Sequence, residues 1–186
     1  PMREDDFCQP LSLYAITKLA AANYASYIGK VDEKPIITFR LFSPFGAYDD
    51  PKRLMTETIY NALENKQIFL SDPNLVRDYI YIEDVVSAYL AAINKAEEFK
   101  GEIFNIGSGR QTSIEEVIWA VRKLSGSKSI IKWGTLKPRS FESKVWQADI
   151  SKIKRCLDWK PRYSFAESVS YLLDYCRRRA REENGR

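Results

Sequence analysis

Tyr14 and Lys18 lie four residues apart in Leu13-Tyr14-Ala15-Ile16-Thr17-Lys18-Leu19, near the start of a stretch with helical character. On a helix that spacing is about one turn, so phenol and ammonium share a face. An ammonium beside a phenol favours phenolate, which suits the pair to proton exchange with an alcohol or carbonyl. The spacing alone decides little. With 11 tyrosines in the chain a second such pair occurs at Tyr48 and Lys52; there Pro51 interrupts any helix and the spacing loses its meaning. Composition excludes other chemistry. There is no histidine, which removes Ser/His and Cys/His nucleophilic catalysis and most transition-metal sites. Cys8, Cys156 and Cys176 are scattered and form no C-x-x-C, so neither a disulfide framework nor a zinc site is indicated, and no metal ligand is assigned.

The elements that must position the pair can be read in order. At 186 residues, 45% apolar and 29% charged, the chain has the size and balance of a soluble domain with a real core. No apolar run reaches the roughly 18 residues of a membrane span and no signal pattern opens the chain, so a cytoplasmic protein without a membrane partner is expected. The net charge of +4 is mostly a basic tail: five arginines and two glutamates in residues 177–186. That tail is explained by a helix dipole and solvation, so nucleic acid is not expected as a partner.

After an irregular lead-in, a helix is expected over residues 12–28, with Ser12 as N-cap and Gly29 as its stop. Residues 35–42 read as a strand buried in a parallel sheet, and 43–52, with two prolines and a glycine, as a loop at its carboxyl end, where open α/β sheets place ligands. A helix at 53–65 and strands at 67–71 and 76–82 follow. Glu83 and Asp84 open a helix reaching about residue 96, with Asp84 read as a helix cap. A strand at 102–106 ends in a glycine turn. Ser113 and Glu116 form a capping box opening a helix to about residue 125, and Ser164 and Glu167 a second box opening the last helix. Between them come a strand at 129–133, an irregular stretch at 134–147 and a short helix at 149–157. Strands alternating with helices give an α/β class.

This order of features resembles the extended short-chain dehydrogenase/reductase family, specifically its nucleotide-sugar epimerases, dehydratases and 4-keto reductases. Tyr14 and Lys18 match the family's Tyr-x-x-x-Lys, Arg40-Leu41-Phe42-Ser43-Pro44-Phe45-Gly46-Ala47 its R-x-x-N-x-x-G segment, and Arg77-Asp78-Tyr79-Ile80-Tyr81-Ile82-Glu83-Asp84 its R-D-[FY] block. Asn105-Ile106-Gly107-Ser108-Gly109 resembles the N-I-G-S-G turn, Pro138-Arg139-Ser140-Phe141-Glu142 the R-P-G-D segment, and Leu157-Asp158-Trp159-Lys160-Pro161 the turn before the last helix.

The resemblance implies the C-terminal part of a Rossmann-type parallel sheet with a small α/β substrate-binding region. Residues 1–66 would carry the tyrosine helix, the following strand, the substrate loop and a helix; residues 67–186 would be mainly the nucleotide-sugar region with some returning Rossmann elements. It further implies that Tyr14 and Lys18 are catalytic and hold the nicotinamide ribose of NAD or NADP, for hydride and proton exchange at sugar C4. Ser43, Arg53, Leu54, Phe69, Arg77, Arg139 and Glu142 are then expected to bind a nucleoside-diphosphate sugar, Arg77 and Arg139 at the diphosphate. The glycine turn at 107–109 is expected to be structural.

Three departures matter. Ser43 stands where the family has asparagine, and Glu142 where it has aspartate. No G-x-x-G-x-x-G is present, so the cofactor-binding half has no counterpart, and the chain is expected to be a C-terminal portion, inactive alone, of an enzyme that dimerises. Base, sugar and the choice among epimerase, dehydratase, decarboxylase and reductase remain open. The alternative is a non-catalytic nucleotide-sugar or protein-binding module of the same fold.

Overall fold

In the computed structural model, which describes residues 1–136 and 145–184, the first half runs α1 (Leu13–Val31), β1 (Thr38–Leu41), β2 (Ser43–Phe45), α2 (Leu54–Leu63), β3 (Ile68–Phe69), β4 (Val76–Arg77) and β5 (Tyr79–Tyr81). The second half runs α3 (Ile82–Ile93), β6 (Ile103–Ile106), β7 (Thr112–Ser113), α4 (Ile114–Ser125), β8 (Ile131–Lys132), α5 (Ser151–Leu157) and α6 (Phe165–Asn184). The α/β class is as expected. Pairs β1 with β6, β2 with β5, and β3 with β8 are parallel, while β4 and β7 are antiparallel.

Several of these elements differ from the sequence reading. Residues 43–45, expected in a loop, form β2, because Tyr79–Tyr81 offers a parallel partner in the register Ser43↔Tyr79 to Phe45↔Tyr81. The chain thus changes partner within one extended run. Phe42 still donates to the Ile106 carbonyl at 3.0 Å, and Ser43 donates to the Asp78 carbonyl at 3.0 Å. The strand expected at 76–82 is in turn broken at Asp78 into β4 and β5, each with its own partner.

Gly29 is not the stop of α1. The helix continues to Val31, and Gly29 is its one buried residue. A Cβ on Gly29 would sit 2.3 Å from Gly101 Cα, so two backbones meet where only glycine fits. Ser26 Oγ donates to the Gly101 carbonyl at 2.6 Å across the same contact.

Two apolar cores hold these pieces. Met55, Ile59, Val117, Val121, Leu172 and Leu173 join α2, α4 and α6. Ile80, Phe104, Ile106, Ile153, Leu157 and Trp159 join β5, β6 and α5. Each fully buried side chain of this kind stabilises by about 1.5–3 kcal/mol. Phe45 belongs to the first of these cores, its ring centroid 6.0–6.1 Å from those of Tyr79, Tyr81 and Phe165. Both capping boxes form as read: Ser113 Oγ accepts from Glu116 N at 3.1 Å and Ser164 Oγ from Glu167 N at 3.3 Å. Among the described residues no helix is long and apolar enough to cross a membrane.

Candidate functional site

Where β1 leaves β6 and β2 joins β5, the sheet splits, and a cleft of ≈430 Å³ opens beside it. Splits of this kind at the carboxyl ends of parallel strands are where α/β folds place ligands. The cleft brings together Ser43, Arg53, Leu54 and Arg77, four expected site residues more than 30 positions apart at their extremes. Lys52 and Asp49 join them. Three cations against one carboxylate give the described lining a positive excess, suited to a polyanion. Leu75, Ile114 and Leu136 supply an apolar wall.

The local sequence explains the polar end. Arg53 is the N-cap of α2 in extended conformation, and no side chain caps that helix. Its amino end therefore opens into the cleft at Leu54 and Met55, with partial positive charge from the first-turn N–H groups. Arg53 Nη1 lies 3.2 Å from Asp49 Oδ1, an i,i+4 pair that steers the guanidinium. Across the cleft, Arg77 pairs with Thr112 in the β4–β7 register and donates to the Val76 carbonyl at 2.7 Å.

Beside Arg77, Asp78 is wholly buried. Its Oδ1 accepts from Ser108 N and Ser108 Oγ at 2.6 and 2.7 Å, and its Oδ2 from Gly109 N and Ala148 N at 3.1 and 2.9 Å. Burial pushes this carboxyl up, while the hydrogen bonds act in the opposite direction. The glycine turn is thus filled by an internal carboxylate, in keeping with the structural role expected of it. Asp84, expected to cap α3, instead accepts from the backbone of Arg162 and Tyr163 at 2.9 and 3.3 Å, tying down the loop before α6.

The remaining expected residues lie elsewhere. Tyr14 and Lys18 share a face of α1 as their spacing requires, with Lys18 Nζ 5.4 Å from the Tyr14 ring centroid. Neither lines the cleft, and Tyr14 is 71% exposed. The last turn of α1 is pinned at the amino end of β6 through Gly29 and Gly101, and the pair lies at the other end of the helix. Phe69 on β3 is 53% exposed and also outside the cleft. Arg139 and Glu142 fall outside the described residues.

A larger hollow, ≈550 Å³, lies at the amino end of β6, but its charges cancel. Lys30 and Lys152 are both held by Glu102, at 3.1 and 2.7 Å, which keeps its carboxyl below the usual range. Burial pushes the Cys176 thiol up to about 11, so it is no nucleophile at neutral pH. No group of three or more metal-ligand side chains occurs among the described residues.

Asp49 and Trp146 are not singled out by the sequence. Lys52 lies in the segment Lys52-Arg53-Leu54-Met55 that resembles the family's nucleotide-lining stretch, from which only Arg53 and Leu54 are expected as ligands. Trp146, whose ring packs on Arg77, gave no signal.

Residues 1–107 match the sequence profile of the NAD dependent epimerase/dehydratase family. The chain is 28% identical to the UDP-glucose 4-epimerase of Pisum sativum, over 90% of this chain and 53% of that protein. It superposes with TM-score 0.85 and 31% identity on UDP-glucuronic acid 4-epimerase from Bacillus cereus, solved with UDP-glucuronic acid and NAD, covering 94% of this chain and 55% of the other. A UDP-glucose 4-epimerase from Thermotoga maritima, solved with UDP-glucose, gives TM-score 0.88 at 26% identity, covering 97% and 58%. The chain spans about half the length of the curated relatives it matches.

Proposed function

Because this chain belongs to the NAD dependent epimerase/dehydratase family, we propose that it carries the nucleotide-sugar half of an NAD(P)-dependent epimerase, dehydratase or 4-keto reductase acting at sugar C4. The observation that carries this reading is the cleft, which gathers Ser43, Arg53, Leu54 and Arg77 around an uncapped helix end with excess positive charge. A diphosphate suits that arrangement: Arg77 and Arg53 offer paired donors, Lys52 a point charge, and the end of α2 backbone N–H groups. The apolar wall of Leu75, Ile114 and Leu136 offers a surface for a base or sugar face. Arg139 and Glu142 extend the set as proposed ligands, and Phe69, on the open face of β3, as a residue alongside the base.

The fit to a dinucleotide is partial. Lys18 and Tyr14 offer an ammonium and a phenol on one accessible helix face, enough to hold a nicotinamide ribose. The N–H groups of the glycine turn are committed to Asp78 and cradle no pyrophosphate. Held beside Tyr14 and Lys18, NAD(P) would supply hydride transfer at the sugar carbon. Tyr14 exchanges the proton of the sugar hydroxyl, and Lys18 supplies the neighbouring positive charge that supports the phenolate. The parent enzyme is proposed to be a homodimer in the cytoplasm, with α1 at or near the interface. Should the chain act without a cofactor-binding half, the same cleft makes it a nucleotide-sugar binding module.

Calorimetric titration with UDP-glucose tests the site. Arg77→Ala is expected to weaken binding about tenfold or more, the worth of a charge-assisted hydrogen-bond pair. Unchanged affinity would remove Arg77 from the site.

A further inference from the structure

We propose that Trp146 is a positioning residue for the nucleotide-sugar site, its indole holding the Arg77 guanidinium toward the cleft from behind. The proposal rests on the reading of Arg77 as a diphosphate ligand. Arg77 lines the cleft and Trp146 does not, so any effect of Trp146 on a ligand there passes through another residue. Arg77 Cζ lies 4.8 Å from the Trp146 ring centroid, within the range where a guanidinium is held by an aromatic face. Stacking uses the face of the guanidinium plane, whereas phosphate recognition uses its rim, so the two contacts are compatible.

Residues 146–148 are held at three points near Arg77. The backbone N–H of Trp146 donates to Gln111 Oε1 at 2.9 Å. Gln147 Nε2 donates to the Gly109 carbonyl at 2.6 Å, and Ala148 N donates to Asp78 Oδ2 at 2.9 Å. Asp78 follows Arg77 in the chain, and Thr112, which follows Gln111, is the register partner of Arg77. The segment bearing the indole is therefore fastened to Asp78, next to Arg77 in the chain, and to Gln111, next to the strand partner of Arg77. A long side chain ordered in advance spares the ligand the entropy of ordering it.

The indole also has a feature that simple core packing leaves without purpose. Its Nε1 is buried with no hydrogen-bond partner among the described residues. A buried unpaired donor is costly, so the ring is retained for its face, and a phenyl ring should serve nearly as well.

The test is a mutant cycle on the protein carrying this chain, titrated with UDP-glucose, with the Arg77 Nε–Hε resonance followed in parallel. Trp146→Leu is expected to weaken UDP-glucose binding roughly three- to thirtyfold and to shift the Arg77 resonance as the indole ring current is lost. Trp146→Phe is expected to stay within about threefold of wild type. In an Arg77→Ala background Trp146→Leu should change affinity no further, since both act through one contact. Equal losses in the two backgrounds, or a phenylalanine variant as weak as leucine, would overturn positioning in favour of a packing role. Trp146→Met replaces the leucine variant if the latter does not fold. A wild-type protein that binds none of the UDP, dTDP, CDP and GDP sugars would overturn the functional reading and this proposal together. An unshifted Arg77 resonance in binding-competent protein overturns the positioning alone.

Discussion

At the scale of single residues, the pair most legible in the sequence is the one the structure leaves most open. Tyr14 and Lys18 were found by a spacing that depends only on local helix geometry, and α1 keeps that geometry. The roles proposed for them depend on a cofactor and sugar arriving beside an exposed helix face. For the active enzyme, Tyr14→Phe should lower turnover by orders of magnitude, because the ring remains and only the exchangeable proton is lost. Affinity for UDP-glucose should stay within about twofold, since the phenol contributes little to binding in this reading. Turnover at the wild-type level would remove Tyr14 from the mechanism. Asp78 and Trp146 show the opposite limit. Their partners, Ala148 and Arg77 respectively, lie 70 positions or so away in the chain. No local pattern encodes such a pairing, so neither role could be read before the fold was known.

At the scale of elements, local chemistry was a good guide wherever the deciding contact is local. Both capping boxes bind within four residues and both form. The backbone N–H of Ser113 holds the Glu116 carboxyl below its ordinary range, as a cap on a helix amino end should. Where the deciding contact is distant, the reading failed. Pro44, taken as a loop residue, sits opposite Ile80 in a two-stranded pair, a place that tolerates a missing N–H. Gly29 is a sharper case, because propensity and packing oppose each other there. Alanine would favour the helix by about 1 kcal/mol, yet its Cβ would fall 2.3 Å from the Gly101 backbone, which cannot rotate away. Overpacking costs of about 1–3 kcal/mol or more should win. Gly29→Ala is therefore expected to lower the denaturant midpoint, and a midpoint at or above wild type would show that α1 does not press on Gly101.

At the scale of the whole molecule, the question is how many diphosphates these residues can hold, and the helix amino ends answer it. Ser12 caps α1, Ser113 caps α4 and Ser164 caps α6, so those donors are taken. The first N–H of α5 goes to Asp149, and α3 opens with Glu83 and Asp84, which repel phosphate. Among the described residues only α2 combines an uncapped end with cations, and it faces the cleft proposed for the nucleotide sugar. Meanwhile Leu13, Tyr24 and Tyr27 on α1 and Leu90 and Ile93 on α3 are exposed, more apolar surface than a free face needs. This is the surface that the proposed cofactor-binding half would cover. These 186 residues alone should therefore bind UDP-glucose at one site. NAD, itself a diphosphate, should enter that same site only well above micromolar concentration and be displaced by UDP-glucose, because the described residues offer no second uncapped, cationic helix end to hold it. Calorimetric competition decides the matter. Micromolar NAD binding that persists with UDP-glucose saturating would mean a second cradle, and would defeat the division of labour proposed for this chain.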